Sequence, residues 1–177
     1  GLALWRGCTA LQFDRLRYAS LTLDKRALTL CPGPGRAILA SGPTGPRFAA
    51  GIPRLALSGR LGQSPIRLKA TAVGFAWPGA LVTRNVDVAL GQADALSRFT
   101  VAALTGRLGQ TLSGRFSGAE ARLAAVPLDI RDGSGTWRYA GGQLNLGEAR
   151  FQLEDRLVDD RFRPVLARDA RLTLSNN

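Results

Sequence analysis

Residues 55–72 run Leu55-Ala56-Leu57-Ser58-Gly59-Arg60-Leu61-Gly62-Gln63-Ser64-Pro65-Ile66-Arg67-Leu68-Lys69-Ala70-Thr71-Ala72. Apolar or small residues take every second place, at Leu55, Leu57, Gly59 and Leu61 and again at Ile66, Leu68, Ala70 and Ala72, and Gly62-Gln63-Ser64-Pro65 interrupts the run. Side chains of a strand point alternately to opposite faces. The pattern is therefore that of two antiparallel strands joined by a tight turn, with one apolar and one polar face.

The same alternation recurs along the chain, at Leu28/Leu30, Val86/Val88/Leu90, Phe99/Val101/Ala103, Leu112/Gly114/Phe116, Val126/Leu128/Ile130, Trp137/Tyr139, Leu144/Leu146, Phe151/Leu153 and Ala170/Leu172/Leu174. Turn signals separate the runs: Trp77-Pro78-Gly79, Asp132-Gly133-Ser134-Gly135 and Gly141-Gly142. This predicts an all-β chain of about ten or more short strands, with consecutive strands as antiparallel neighbours and one dry face. Helix is expected to be scarce. The best helical windows, 92–99 and 119–125, are each about two turns long and too short to stand without packing. Residues 32–53 carry Pro32, Pro34, Pro43, Pro46 and Pro53 and read as an irregular loop with a short strand around Ile38 and Leu39, since proline cannot donate to a ladder. A heptamer, Leu57 to Gln63, returns as Leu104 to Gln110, with a weaker echo at Leu112-Ser113-Gly114-Arg115-Phe116. It suggests an elongated sheet grown by adding similar hairpins.

Composition removes most chemistry. The 177 residues include no histidine, so no Ser-His-Asp triad, Cys-His pair or His-ligated zinc can be built. The cluster Gly33-Pro34-Gly35-Arg36-Ala37-Ile38 lacks the third glycine and the βαβ setting of a dinucleotide fingerprint. The acids Glu154, Asp155, Asp159, Asp160 and Asp169 are interleaved with Arg156, Arg161, Arg163 and Arg168, the pattern of surface ion pairs rather than a catalytic dyad. The expectation is a protein without enzymatic activity and without cofactor or metal. Formal net charge is +11, carried by arginine except for Lys25 and Lys69. Such a surface attracts phosphates in general. Trp137-Arg138-Tyr139 is not a stacking platform, because the arginine points away from the two aromatics, so nucleic acid is not expected as a partner.

Cys8 and Cys31 are 23 residues apart, a spacing that fits neither a redox pair nor a zinc knuckle. Two readings remain, free buried thiols in a reducing compartment or one structural disulfide in an oxidising one, and the low cysteine number favours the second. No run is apolar enough to span a bilayer. Gly1 at the start and Asn177 directly after an alternating run make both ends look cut, so residues 1–177 are expected to be one all-β segment of a longer protein.

Val126-Pro127-Leu128-Asp129-Ile130, Gly135-Thr136-Trp137-Arg138-Tyr139, Gly142-Gln143-Leu144-Asn145-Leu146, Asp155 and Arg161-Phe162-Arg163-Pro164-Val165 together resemble the YdbH family of the AsmA-like superfamily, to which TamB is related. Cys8 and Leu28-Thr29-Leu30-Cys31-Pro32 agree more loosely. The resemblance implies an elongated, curled antiparallel sheet, taco-like or an open half-barrel, with an apolar inner face. It also implies a protein of the Gram-negative cell envelope, anchored in the inner membrane and crossing the periplasm, that moves phospholipid toward the outer membrane. Phospholipid and neighbouring segments of the same protein would be the partners, and the membrane would be met only by parts outside this segment. On that reading the groove is lined by Leu55, Leu57, Ile66, Leu68, Leu128, Ile130, Trp137, Tyr139, Leu144, Leu146, Phe151, Leu153, Leu172 and Leu174. The competing expectation is a non-catalytic structural or interaction module, a closed β-sandwich serving envelope assembly.

Overall fold

The computed structural model describes residues 2–43, 45–109, 111–159 and 161–175, with side chains described to residue 173. Gln110 of the second heptamer and Asp160 of the acidic cluster lie outside the described residues. The strands are β1 (Leu2–Leu4), β2 (Thr9–Tyr18), β3 (Leu21–Leu30), β4 (Leu39–Gly42), β5 (Gly45–Leu61), β6 (Ser64–Trp77), β7 (Gly79–Leu90), β8 (Ser97–Leu108), β9 (Leu112–Arg122), β10 (Leu128–Ala140), β11 (Gln143–Asp155) and β12 (Val165–Ser175). They form one twelve-stranded antiparallel sheet that is not closed. From β4 to β12 the strands pair in chain order, and β1 pairs β4. The β2–β3 hairpin joins through β3, which pairs the far end of β5 at Leu21↔Leu61 and Leu23↔Gly59.

The strands are longer than the sequence pattern suggests, and the reason is local. In each of β5 to β12 the apolar alternation takes one step of three residues instead of two: Ile52 to Leu55, Ala70 to Val73, Thr83 to Val86, Val101 to Leu104, Phe116 to Ala119, Ile130 to Gly133, Leu146 to Ala149 and Ala167 to Ala170. Most of these steps hold a residue with positive φ, namely Ala72, Asn85, Gly118, Asp132, Glu148 and Asp169. Such a residue takes the place of one strand position, so the side chains after it stay on the face they would otherwise leave. Packing shows the effect: Leu55 joins the same cluster as Ile52, together with Leu30, Ile38, Ala50, Phe48, Val73 and Phe75.

Two expectations are corrected by this. Asp132-Gly133-Ser134-Gly135 is not a turn between strands but the step inside β10, because a bulge asks for the same residues as a turn. Residues 45–53, read as part of an irregular loop, are the first half of β5. Pro46 is tolerated near the strand start and Pro53 stands opposite the kinked Ala72, where regular pairing lapses. Of the helical windows, 92–99 yields only the 3-10 turn Ala93–Ala95, and 119–125 is strand as far as Arg122. Alternating Phe99/Val101 and Ala119/Ala121 outweigh two unsupported turns of helix.

Cys8 and Cys31 form a disulfide that continues the β2–β3 register one step past Thr9↔Leu30. Cys31 also bridges Gly51 by two backbone hydrogen bonds of 2.8 and 2.7 Å. Between that bridge and Leu23 the backbones of β3 and β5 do not pair, and the Arg26 guanidinium fills the gap by donating to the Ala56 carbonyl at 2.9 Å.

The chain exposes 12121 Å². A compact domain of 18.8 kDa would expose about 8,300 Å². Among the described residues there is no second layer, and seven apolar residues are buried, four of them in the cluster around Ile38. Substituting Ala72, at φ 50°, with glycine is expected to raise stability by about 0.5–1 kcal/mol, because the Cβ penalty there exceeds the entropy cost of glycine. Ala70→Gly, two residues away in regular strand and buried, is expected to lower it. Urea unfolding of both variants checks the pair.

Candidate functional site

Cross-strand register turns the alternation into rows. One row runs Ala50, Phe75, Leu81, Gly106, Gly114, Trp137, Leu146 and Leu172 across β5 to β12, each residue directly paired with the next. A second, on the other side of the phase step, runs Leu57, Leu68, Val88, Phe99, Ala121, Ile130, Leu153 and Val165. No polar side chain interrupts either row. Seven steps of about 4.8 Å make each about 34 Å long, comparable to the hydrocarbon thickness of a bilayer.

Tyr139 of β10 has its phenol pushed above the ordinary value by the Tyr18 phenol close beside it. Tyr18 ends β2, seven pairings away along the sheet, and the approach of the two phenols is what a sheet curled toward the side that carries Tyr139 gives. The most buried residues of several strands adjoin the phase step: Ile52, Ala70, Thr83 and Ala149. The band of steps is thus the floor of the curl and the two rows are its walls.

Leu57, Leu68, Ile130 and Leu153 stand in one row, Trp137, Leu146 and Leu172 in the other, and Leu55, Ile66, Tyr139, Leu144, Leu128 and Phe151 flank them by register on the same face. Leu174 pairs with Leu144, and its side chain is outside the described set. Most of these side chains are half-buried, and Leu172 is 51% exposed. Sequence reasoning missed Phe48, Phe75, Leu81, Leu104 and Leu108. Phe48 and Phe75 stack with ring centroids 5.4 Å apart at one end of the face. The alternation that marks the others marks them equally.

Trp137 explains the recurring glycine of the heptamer. Its indole crosses β9, with Nε1 donating to the Thr105 carbonyl of β8 at 3.1 Å. A Cβ on Gly106 would lie 2.5 Å from Trp137 Cζ2, and one on Gly114 would overlap the Thr105 carbonyl. Gly59, the equivalent of Gly106 in the first heptamer, meets the Thr22 carbonyl where β3 docks on β5. The heptamer is a strand end that lets a neighbour come close.

A family model described as YdbH-like, intermembrane phospholipid transport protein YdbH, matches residues 2–177. The chain belongs to the YdbH-like family. No curated protein and no solved structure matches it. The family implies phospholipid as cargo and a place between two membranes. No helix among the described residues is long and apolar enough to cross a membrane.

Five acids of the YdbH-like chain pair with arginine among the described residues, Asp87, Glu120, Asp129, Glu154 and Asp155, while Asp159 and Asp169 of the acidic cluster do not. Arg161 donates to Asp155 through Nε and Nη2, and its backbone N–H joins that of Leu157 on the same carboxylate. The Arg161 hydrogen bond is the main reason that Asp155 is held well below the usual carboxylate range. Asp129 takes Arg156 at 3.0 Å, and Arg131 reaches Asp129, Glu120 and Glu154 at 3.4–3.6 Å. These pairs fasten the loops after β9 and β11, since Arg156 also donates to the Leu123 and Val126 carbonyls.

One polar group stands out on the apolar side: the Thr83 hydroxyl is buried without a partner. Thr83→Val is expected to raise stability by about 1–2 kcal/mol, read from denaturant midpoints, since an unpaired buried hydroxyl carries its desolvation cost. Gly114→Ala is expected to lower stability by about 1–3 kcal/mol and to shift Trp137 fluorescence by lifting the indole.

Proposed function

We propose that the chain shields the acyl chains of phospholipid along its concave apolar face, as one stretch of a longer protein crossing the periplasm. What supports this is the pair of unbroken apolar rows on one side of a sheet with no second layer. An acyl chain in water costs about 0.8 kcal/mol per exposed methylene, so a trough that keeps ten methylenes dry lowers a transfer barrier by roughly 8 kcal/mol. The head group stays in water at the open side. The fourteen residues named above line the trough, neighbouring segments of the same protein extend it at its edges, and anchoring in the inner membrane falls to parts beyond this stretch. Catalysis has no role in this reading, because transfer breaks no covalent bond.

The closed-sandwich alternative is the weaker reading. It needs two packed sheets, and the described strands form one.

Native mass spectrometry with lipid extraction, on protein exported to the periplasm and purified without detergent, tests the proposal. The wild-type chain is expected to carry phospholipid. Leu146→Asp and Leu68→Asp, each placing a charge in one row, are expected to lower bound lipid at least about 10-fold. Ser58→Asp, on the polar face of β5, should leave it unchanged. Equal lipid in Leu146→Asp and Ser58→Asp, with both folded by circular dichroism, would sink the reading.

A further inference from the structure

The ion pairs of the polar face gather on one side of the band that floors the curl. On the side of Leu57 and Ile130, Asp87 holds Arg98 at 2.7 Å, and Arg131 and Arg156 share Asp129. On the side of Trp137 the arginines have no such partner. Arg107, Arg115, Arg138 and Arg171 there, with Arg84 and Arg150 beside the band, are all exposed, and among the described residues none of these six guanidinium groups makes an ion pair or a hydrogen bond.

Register sets these arginines in a lattice with small hydroxyl and amide residues. Along one line Arg107, Ser113, Arg138, Asn145 and Thr173 are successive partners across β8 to β12. Along the next, Thr105, Arg115, Thr136 and Gly147 follow. Two shallow depressions lie between the guanidinium groups, of about 480 Å³ and 540 Å³, and share Arg115 and Thr136. Glu148 is the one acid lining either.

Six like charges gathered on one part of a sheet face repel each other. We propose that this arginine lattice is a docking surface for the phosphates of an anionic lipid membrane. The donors fit phosphate: guanidinium forks and hydroxyls converge on oxyanions that accept several hydrogen bonds each. A protein partner would be anchored by buried aromatic or aliphatic side chains, and from β8 to β12 the two lines offer none, Val82 beyond Thr105 on β7 being the one exposed aliphatic that adjoins them. Single-stranded nucleic acid would need aromatic stacking, which this face also lacks. The apolar trough lies on the opposite face, so the inference stands whether or not the trough carries acyl chains.

Cosedimentation with vesicles of phosphatidylcholine, with and without about a third phosphatidylglycerol, reads the binding. The chain is expected to bind only the anionic vesicles and to release them as salt rises to about 0.5 M, where exposed charges are screened within a few ångströms. Arg115→Gln with Arg138→Gln is expected to weaken binding roughly 30-fold, two arginines' share of the attraction to an anionic surface. Arg6→Gln with Arg36→Gln, in the loops after β1 and before β4 at the opposite edge of the sheet, removes the same net charge away from the lattice and should cost less than about 3-fold. Leu146→Asp, which tests the trough, should leave vesicle binding intact. Equal losses in the two arginine pairs, binding to neutral vesicles, or capture of duplex nucleic acid in preference to anionic vesicles would each overturn the proposal.

Discussion

A single-layer sheet that curls must keep every large apolar side chain on its inner side, and that requirement governs the rest of this molecule. A long strand bends sharply only where its ladder is interrupted, and an interruption of one residue reverses the faces of everything after it. The chain interrupts all eight strands from β5 to β12 at the same level, so the reversals agree with one another across the sheet. The cost is real: Ala72 and Glu148 sit at φ near 50° with no special tolerance for it, at about 1–3 kcal/mol each. Asn85, Asp132, Asp169 and Gly118 are residue types that enter this region more easily. Without the steps, each half-strand would turn two or three apolar side chains toward the polar face, and each is worth about 1.5–3 kcal/mol when fully buried.

Period-two alternation is a local property, so the sequence exposes which side chains share a face over five or six residues. That is why Leu144 and Leu146, or Leu57 and Leu68, were legible as members of one surface. Strand length was not. A step of three between apolar positions arises in two ways, at a bulge and across a two-residue hairpin turn. Ile130 to Gly133 is the first, while Tyr18 to Leu21 is the second. Asp132-Gly133 has the composition of either. What separates them is whether the next residues pair back on the preceding run or on a different strand, and that is a long-range fact.

The same distinction limits what charge reveals. Arginine excess is visible in composition, but which arginines have an acid within reach depends on which strands are neighbours and where their registers fall. Arg131 is three strands' worth of sequence away from neither of its partners in space, since Glu120 and Glu154 belong to the strands on either side of it. Arg115 has Thr105 and Thr136 in the corresponding places, and Arg138 has Ser113 and Asn145. The Cys8–Cys31 spacing, by contrast, needed no topology beyond one hairpin, which is why it could be narrowed to two readings from sequence alone.

A soluble domain of this size would ordinarily fold its sheet against another layer and hide the apolar rows. Here the exposed area exceeds that of a compact domain by roughly 3,800 Å², and the few buried residues gather at the floor of the curl and around Ile38. The walls are therefore held by backbone pairing and cross-strand contacts rather than by a core. Whatever apolar material covers them adds burial that the chain does not supply itself, so occupancy and stability are linked by mass action. The incompleteness that would be a defect in a self-contained domain is what an exchange of one apolar occupant for the next, as proposed, would need.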